Sequence, residues 1–225
     1  MVNHYKMSLP QRGFFLYSYL MKKFPEIIPV FPLSGVIYFP QTNLPLNIFE
    51  ARYLELVNDA YNKNKLMGMV QSKRFGNTLY DIGCLGKISD YQKSKDGRII
   101  INLTGVSRFR ILKEISNKKL YREFQVKYED FEEDINNANS EININNLMEK
   151  AKIFFKKNGL LLNWREFERL DQSQKINTLA MIAPITNEEK QKLLETISLV
   201  NKVSILESII DFYLHENNFS NQTVQ

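Results

Sequence analysis

The sequence predicts an α+β protein in which a β domain is followed by a helical domain. Between residues 28 and 129, short apolar runs alternate with turn residues, which is the pattern of consecutive strands. Beyond residue 147, apolar residues recur at helical spacing instead. The segment 129–146, EDFEEDINNANSEININN, is acidic, rich in Asn and poor in apolar side chains that could be buried. We therefore place a domain boundary there.

The β domain contains one predicted helix among several predicted strands. The helix spans residues 50–63 and carries Tyr53, Leu56, Val57, Ala60 and Tyr61 on one face. The strands are predicted at residues 35–39, 44–49, 66–71, 79–91, 98–103, 108–115 and 121–129.

Prolines are concentrated in the first part of this domain. Six of the seven prolines precede residue 46. Because proline fixes φ and has no N–H to donate, each should mark a point where strand pairing stops. Such stops suit the corners of a small closed or half-closed barrel. We expect Pro29 and Pro32 to lie in an edge strand and to protect it from pairing with other chains.

The helical domain is predicted from four periodic segments. Thr186 and Glu189 have the spacing of a capping box and follow Pro184, so they predict a helix start. The four helices are predicted at residues 147–157, 173–183, 187–197 and 199–216.

These elements divide the chain into five parts. Residues 1–25 carry four Lys or Arg and no acidic residue, and so account for +4 of the net charge of +5. We expect this extension to be disordered or not translated, with Met21 as the alternative start. If it is made, FFLYSYLM followed by Lys22 and Lys23 would suit a short helix at a membrane surface. The other parts are the β domain at 26–131, a linker at 132–146, the helical subdomain at 147–217 and a tail at 218–225.

The composition excludes several kinds of protein and site. No run of 18 apolar residues occurs, so we expect no membrane span and a cytoplasmic location. Cys84 is the single cysteine, and His4 and His215 are the only histidines, which excludes an internal disulfide and a Cys/His zinc site. The sequence has no G-x-x-x-x-G-K-[ST] phosphate loop, and the Ser-Lys pair in SKDGR (94–98) belongs to an Asp-Gly turn. We predict no catalytic residue, cofactor or metal.

The proline-rich stretch carries a family resemblance. PVFPLSGVIYFPQTNLPLNIFEARYLELVNDA, beginning at Pro29, closely resembles the opening motif of the Lon protease N-terminal domain, or LON substrate-binding domain. MGMVQ (67–71), LYDIGCLGKI (79–88), DGRIIINLTGVSRFRI (96–111) and YREFQVKY (121–128) resemble the strands that follow in that family. The motif positions, to which we assign mainly structural roles, are Pro32, Leu33, Phe39, Pro40, Pro45, Leu46, Phe49, Glu50, Arg52 and Tyr53.

The resemblance implies a fold and a function. The implied fold is a PUA-like β barrel, or pseudobarrel, followed by a C-terminal helical bundle, as in a stand-alone bacterial member without ATPase or protease modules. The implied function is non-catalytic recognition of unfolded or client polypeptides, or of an ATP-dependent protease as partner. We place the binding surface between barrel and helices, with Tyr38, Phe39, Phe49 and Trp164 near it.

The alternative function is RNA binding, because PUA-like barrels elsewhere bind RNA. GVSRFRI interleaves Arg108 and Arg110 with apolar residues, as strands that bind nucleic acid do. The same alternation is typical of a half-buried strand with its charged face in water, which we favour. Since residues outside the extension have a net charge of only +1, we consider nucleic acid the weaker hypothesis.

Overall fold

The computed structural model describes residues 24–73, 78–136 and 142–220, with side chains through His215. The expectations for the extension before Phe24, the middle of the linker and the last five residues lie outside these ranges. The strands are β1 (Ile27–Leu33), β2 (Asn43–Ile48), β3 (Leu66–Gln71), β4 (Ile82–Lys93), β5 (Ile99–Ile115) and β6 (Arg122–Lys127). The helices are α1 (Ala51–Lys63), α2 (Glu133–Asn136), α3 (Asn145–Lys157), α4 (Trp164–Phe167), α5 (Gln172–Ile182), α6 (Asn187–Glu195) and α7 (Leu199–Ser220). A single mixed sheet followed by helices confirms the predicted α+β class.

The sheet order is β2-β5-β4-β3-β1-β6, and β5 also pairs with β6. Five strands, β5, β4, β3, β1 and β6, are therefore joined in a closed cycle of pairings, to which β2 is attached. The β1–β3 pairing is parallel, and the other pairings are antiparallel. The long strand β5 continues through the two segments predicted as separate strands at 98–103 and 108–115.

β1 has a partner on each side, so the prediction that Pro29 and Pro32 lie in an edge strand is wrong. Residues 27–30 pair with β6, and residues 30–33 pair with β3. Each partner therefore accompanies β1 over only half of its length, and the change of partner occurs at Val30.

The two prolines of β1 lie where these half-length pairings stop. The N–H of Val126 in β6 donates to the Glu26 carbonyl (2.8 Å), so alternation along β1 directs the nitrogen of Pro29 away from β6 and toward β3. The β1–β3 pairing begins one residue later. The nitrogen of Pro32 points the other way, toward β6, but the β1–β6 pairing has already ended at Val30. In β1 each proline therefore lies where pairing on one side is absent, as expected. The expectation is wrong for Pro45, because the pairing of β2 with β5 continues past it.

The predicted strand at 35–39 is also wrong. Residues 34–42 form a loop, because positive φ values at Gly35 (89°) and Gln41 (61°) change the direction of the backbone. The apolar side chains of Ile37 and Phe39 that suggested a strand are buried all the same, since this loop packs them against the helices.

Helix positions agree closely with the sequence pattern. The helix predicted at 50–63 is α1, and the four later predictions correspond to α3, α5, α6 and α7. The predicted capping box is confirmed: the Glu189 N–H donates to the Thr186 hydroxyl (3.2 Å), and the Thr186 N–H donates to the Glu189 carboxylate (2.8 Å). Buried apolar residues of the sheet and α1 form two clusters. A third cluster belongs mainly to the helices and includes Ile37, Phe39, Ile82 and Phe131 from the sheet part.

Candidate functional site

Six of the ten residues of the sequence motif are buried or half-buried. Phe39 and Pro40 are buried in the loop that contacts the helices. Tyr53 is buried on α1, with its ring stacked on Phe31 at 3.9 Å between centroids. Pro32, Leu33 and Leu46 are half-buried in strands. These six positions therefore offer little surface to a ligand.

Phe49 differs from the other motif aromatics because 66% of it is exposed. It directly follows β2, where Leu44 and Ile48 point inward and the alternate residues Pro45, Asn47 and Phe49 point outward. Ile100 of β5 pairs opposite Asn47 and is 45% exposed on the same outer face. We call Pro45, Asn47, Phe49 and Ile100 the Phe49 surface.

A neutralised ion pair borders the Phe49 surface. The Arg52 guanidinium donates to one oxygen of Glu50, at 3.0 Å from Nε and 2.8 Å from Nη2. It also lies 4.5 Å from the centroid of the Tyr53 ring, in cation–π geometry. Glu50 and Arg52 therefore form a local ion pair. Glu50 occupies the N-cap position of α1, but its side chain makes no capping hydrogen bond.

The other residues predicted near a binding surface are much less exposed than Phe49. Tyr38 and Phe39 are 2% and 0% exposed. Burial raises the pKa of the Tyr38 hydroxyl, for which the described residues provide no hydrogen-bond partner. Trp164 is half-buried against Phe155 and Phe167 in the helical core, with ring centroids 5.8 and 5.5 Å away. These three side chains therefore offer less surface to a ligand than Phe49, and a binding role for them stays a prediction.

Arg108 contradicts the expectation of a solvated basic face. It is 2% exposed, and its guanidinium binds the Asp134 carboxylate (2.8 and 2.9 Å). It also donates to the carbonyls of Leu194 (3.0 Å), Thr196 and Ile197 (3.1 Å), between α6 and α7. The expectation failed because the helices cover this part of β5. Arg110 remains at the surface in an ion pair with Asp130 (2.6 Å).

Three observations bear on catalysis, metals and membranes. Cys84 is fully buried, and desolvation raises the pKa of its thiol well above the usual value, so it is poorly suited to act as a nucleophile. In the described ranges no group of three or more His, Cys, Asp or Glu residues is placed to hold a metal ion. None of the helices described is both long enough and apolar enough to cross a bilayer.

Similar proteins agree with this architecture. A family model for the ATP-dependent protease La (LON) substrate-binding domain matches residues 27–211. Lon protease of Syntrophus aciditrophicus is 28% identical over 208 residues, which are 85% of this chain and 26% of that protein. For Lon protease of Dictyoglomus thermophilum the identity is 27% over 191 residues, or 80% of this chain and 23% of that protein. The chain therefore spans about a quarter of the length of these relatives.

Solved structures show the same fold. The Lon N-terminal domain protein from Xanthomonas campestris aligns with a TM-score of 0.60 at 20% identity, covering 81% of this chain and 97% of that one. The N-terminal domain of Mycobacterium avium complex Lon protease aligns with a TM-score of 0.60 at 18% identity, covering 82% and 98%. Since the family model extends across both the sheet and the helices, the chain belongs to the ATP-dependent protease La (LON) substrate-binding domain family.

Proposed function

We propose that this protein is a non-catalytic recognition module that binds unfolded polypeptide segments through the Phe49 surface. Family membership indicates a role in substrate recognition. The observation that carries the proposal is the exposure of Phe49, a motif residue that folding alone would not require to be aromatic. The closed cycle of five strands would be the PUA-like barrel of the family and would hold this surface rigidly. A cytoplasmic ATP-dependent protease is the partner that such a module would serve.

The chemistry of the Phe49 surface suits an unfolded chain. Phe49, Ile100 and Pro45 supply apolar area, and Asn47 supplies amide donors and acceptors for a peptide backbone. Burying an exposed Phe side chain is worth about 1.5–3 kcal/mol. One such contact gives weak, reversible binding, which fits a module that samples many segments.

The basic residues give less support to RNA binding. Arg108 is buried among protein acceptors, and Arg110 is paired with Asp130. Neither guanidinium is free to neutralise a phosphate, so the strand that looked most like a nucleic-acid strand lacks the required charge.

A binding measurement with fluorescently labelled β-casein, an unfolded polypeptide, tests the proposal. We expect Phe49→Ser to raise the Kd about tenfold, a loss of ~1.4 kcal/mol. The matched control is Phe212→Ser on α7, because Phe212 is 55% exposed and lies outside the Phe49 surface. Phe212→Ser should bind like the wild type, and both variants should keep the wild-type melting temperature.

Two outcomes would contradict the proposal. Wild-type affinity of Phe49→Ser, or an equal loss for Phe212→Ser, would show that casein does not use this surface. Binding of labelled poly(U) RNA tighter than casein, at physiological salt, would favour the RNA hypothesis instead.

A further inference from the structure

The contact between sheet and helices contains several buried polar side chains. Asn177 of α5 donates to the Pro40 carbonyl (3.2 Å), and Gln191 of α6 donates to the Ile82 carbonyl (3.1 Å). Arg108 of β5 donates hydrogen bonds to the carbonyls at the end of α6, as described above. With Lys202 of α7, we call these residues the joint. Four residues of the sheet part, Ile37, Phe39, Ile82 and Phe131, extend the helical apolar core here, and the polar contacts add to this attachment.

Lys202 is the unusual member of the joint. It is 1% exposed, and its Nζ donates to Asn177 Oδ1 at 2.9 Å. Nζ also lies 5.5 Å from the centroid of the Phe39 ring. An ammonium group has three donors, and the described residues provide one hydrogen-bond acceptor for it. The site therefore suits a neutral amine better than a charged one.

The surroundings of Lys202 contain charges of both signs. Arg108 of β5 opposes its protonation, and Asp134 and Glu133 of α2 and Cys84 of β4 favour it. Desolvation is the largest effect, and together with Arg108 it outweighs the groups that favour protonation and lowers the pKa of Lys202 to about 7, from 10.5 for an exposed lysine.

We propose that the joint is a pH-sensitive hinge, in which a proton on Lys202 loosens the helices from the sheet and uncovers Phe39. Opening gives the amine access to water, where it is protonated below about pH 10.5. The closed joint takes up the proton only below about pH 7. Opening therefore becomes easier as pH falls from about 10 to 7 and stays constant below 7. This inference does not depend on the Phe49 surface.

Hydrogen exchange of the full chain, measured from pH 5.5 to 9 and corrected for intrinsic rates, tests the hinge. The reporters are the amides of Gln41, Thr42 and Gly105, which hydrogen-bond in the loop that holds Phe39 and Pro40. One proton taken up on opening changes the opening constant about tenfold per pH unit. We expect reporter protection to rise about tenfold per unit between pH 7 and 9 and to stay level below 6.5.

Two lysine variants identify the titrating group. Lys202→Met should remove the pH dependence and leave protection high throughout. The matched control Lys192→Met changes an exposed lysine of α6 and should follow the wild type. A flat wild-type profile between pH 7 and 9 overturns the proposal even if Lys202→Met does not fold. An unchanged slope in Lys202→Met overturns it too. So does wild-type reporter protection equal to that of β3 and β4 amides at every pH, because only global opening would then occur.

Discussion

Arg108 and Arg110 lie two positions apart in β5, yet their surroundings differ. Arg108 is 2% exposed and holds the segment between α6 and α7, whereas Arg110 lies at the surface beside Asp130. The alternation of charged and apolar residues in the sequence correctly placed both arginine side chains on one face of β5. It could not show that helices from far along the chain cover only the first of them.

Replacing each arginine with methionine measures this difference. Arg108→Met leaves the buried Asp134 carboxylate without its partner and should lower the free energy of unfolding by about 3–5 kcal/mol. Arg110→Met breaks a partly exposed pair and should cost less than about 1 kcal/mol. Urea denaturation provides both values. Equal losses would mean that the buried contacts of Arg108 contribute no more than an ordinary surface pair.

At the scale of elements, β2 is the strand with an open edge. Among the described strands it pairs with β5 alone. The Gly105 N–H of β5 donates to the Thr42 carbonyl (2.9 Å). Because backbone groups alternate in direction along a strand, the nitrogen of Pro45 points away from β5, toward the open edge of the sheet. Pro45 thus removes a donor from the open edge, which is the protection we had assigned to Pro29 and Pro32.

Pro45→Val should promote self-association without destabilising the monomer. The substitution restores an outward N–H and adds a strand-favouring residue. Light scattering at several protein concentrations would follow aggregation, and thermal denaturation would follow stability. The control is Asn102→Val, which adds the same side chain opposite Pro45 but on an inner strand. Equal aggregation of both variants would implicate apolar surface and not the open edge.

Elements that depend on residues close in sequence were predicted better than those that depend on contacts with distant residues. The capping box of Thr186 and Glu189 depends on residues three positions apart, so the start of α6 could be read directly. The loop at 34–42 could not, because burial of Ile37 and Phe39 there depends on distant helices. Phe49 was named as a binding candidate because of the family resemblance. The alternation of side chains along β2 also predicts that Phe49 faces outward, but an apolar residue is ordinarily expected to face the core.

At the scale of the whole molecule, the sheet and the helices each have a core of their own. Two clusters belong to the sheet and α1, and the third belongs mainly to the helices. Two contiguous segments therefore meet at the joint. The resemblance indicated this arrangement, whereas the buried Lys202 and Asn177 of the joint left no recognisable pattern in the sequence.

Separating the segments should weaken the sheet without unfolding it. Residues 24–136 alone keep Asp134 but lose the three carbonyls of the helical part that Arg108 contacts. They also expose apolar side chains of the third cluster, namely Ile37, Phe39, Ile82 and Phe131, so we expect a soluble protein with a lower melting temperature. Circular dichroism would measure the transition. The control is the full chain cleaved by a protease at a site engineered within 137–141. It keeps both parts, so its melting temperature should be close to that of the intact protein. Wild-type melting of the isolated sheet would show that the joint contributes nothing to its stability.

Because β1 pairs with two strands that both come later in the chain, its pairing also affects folding during synthesis. Ile27 pairs with Gln125, roughly 100 residues later, so most contacts of β1 are non-local and should slow folding. During synthesis at ~5–20 residues per second, β1 leaves the ribosome on the order of 5–20 s before β6 exists. Until β6 is made, residues 27–30 of the apolar strand IIPVFPL lack their partner and are available to other nascent chains. Pro29 and Pro32 remove one donor from each of its edges, so each edge is a poor template until β3 and β6 arrive.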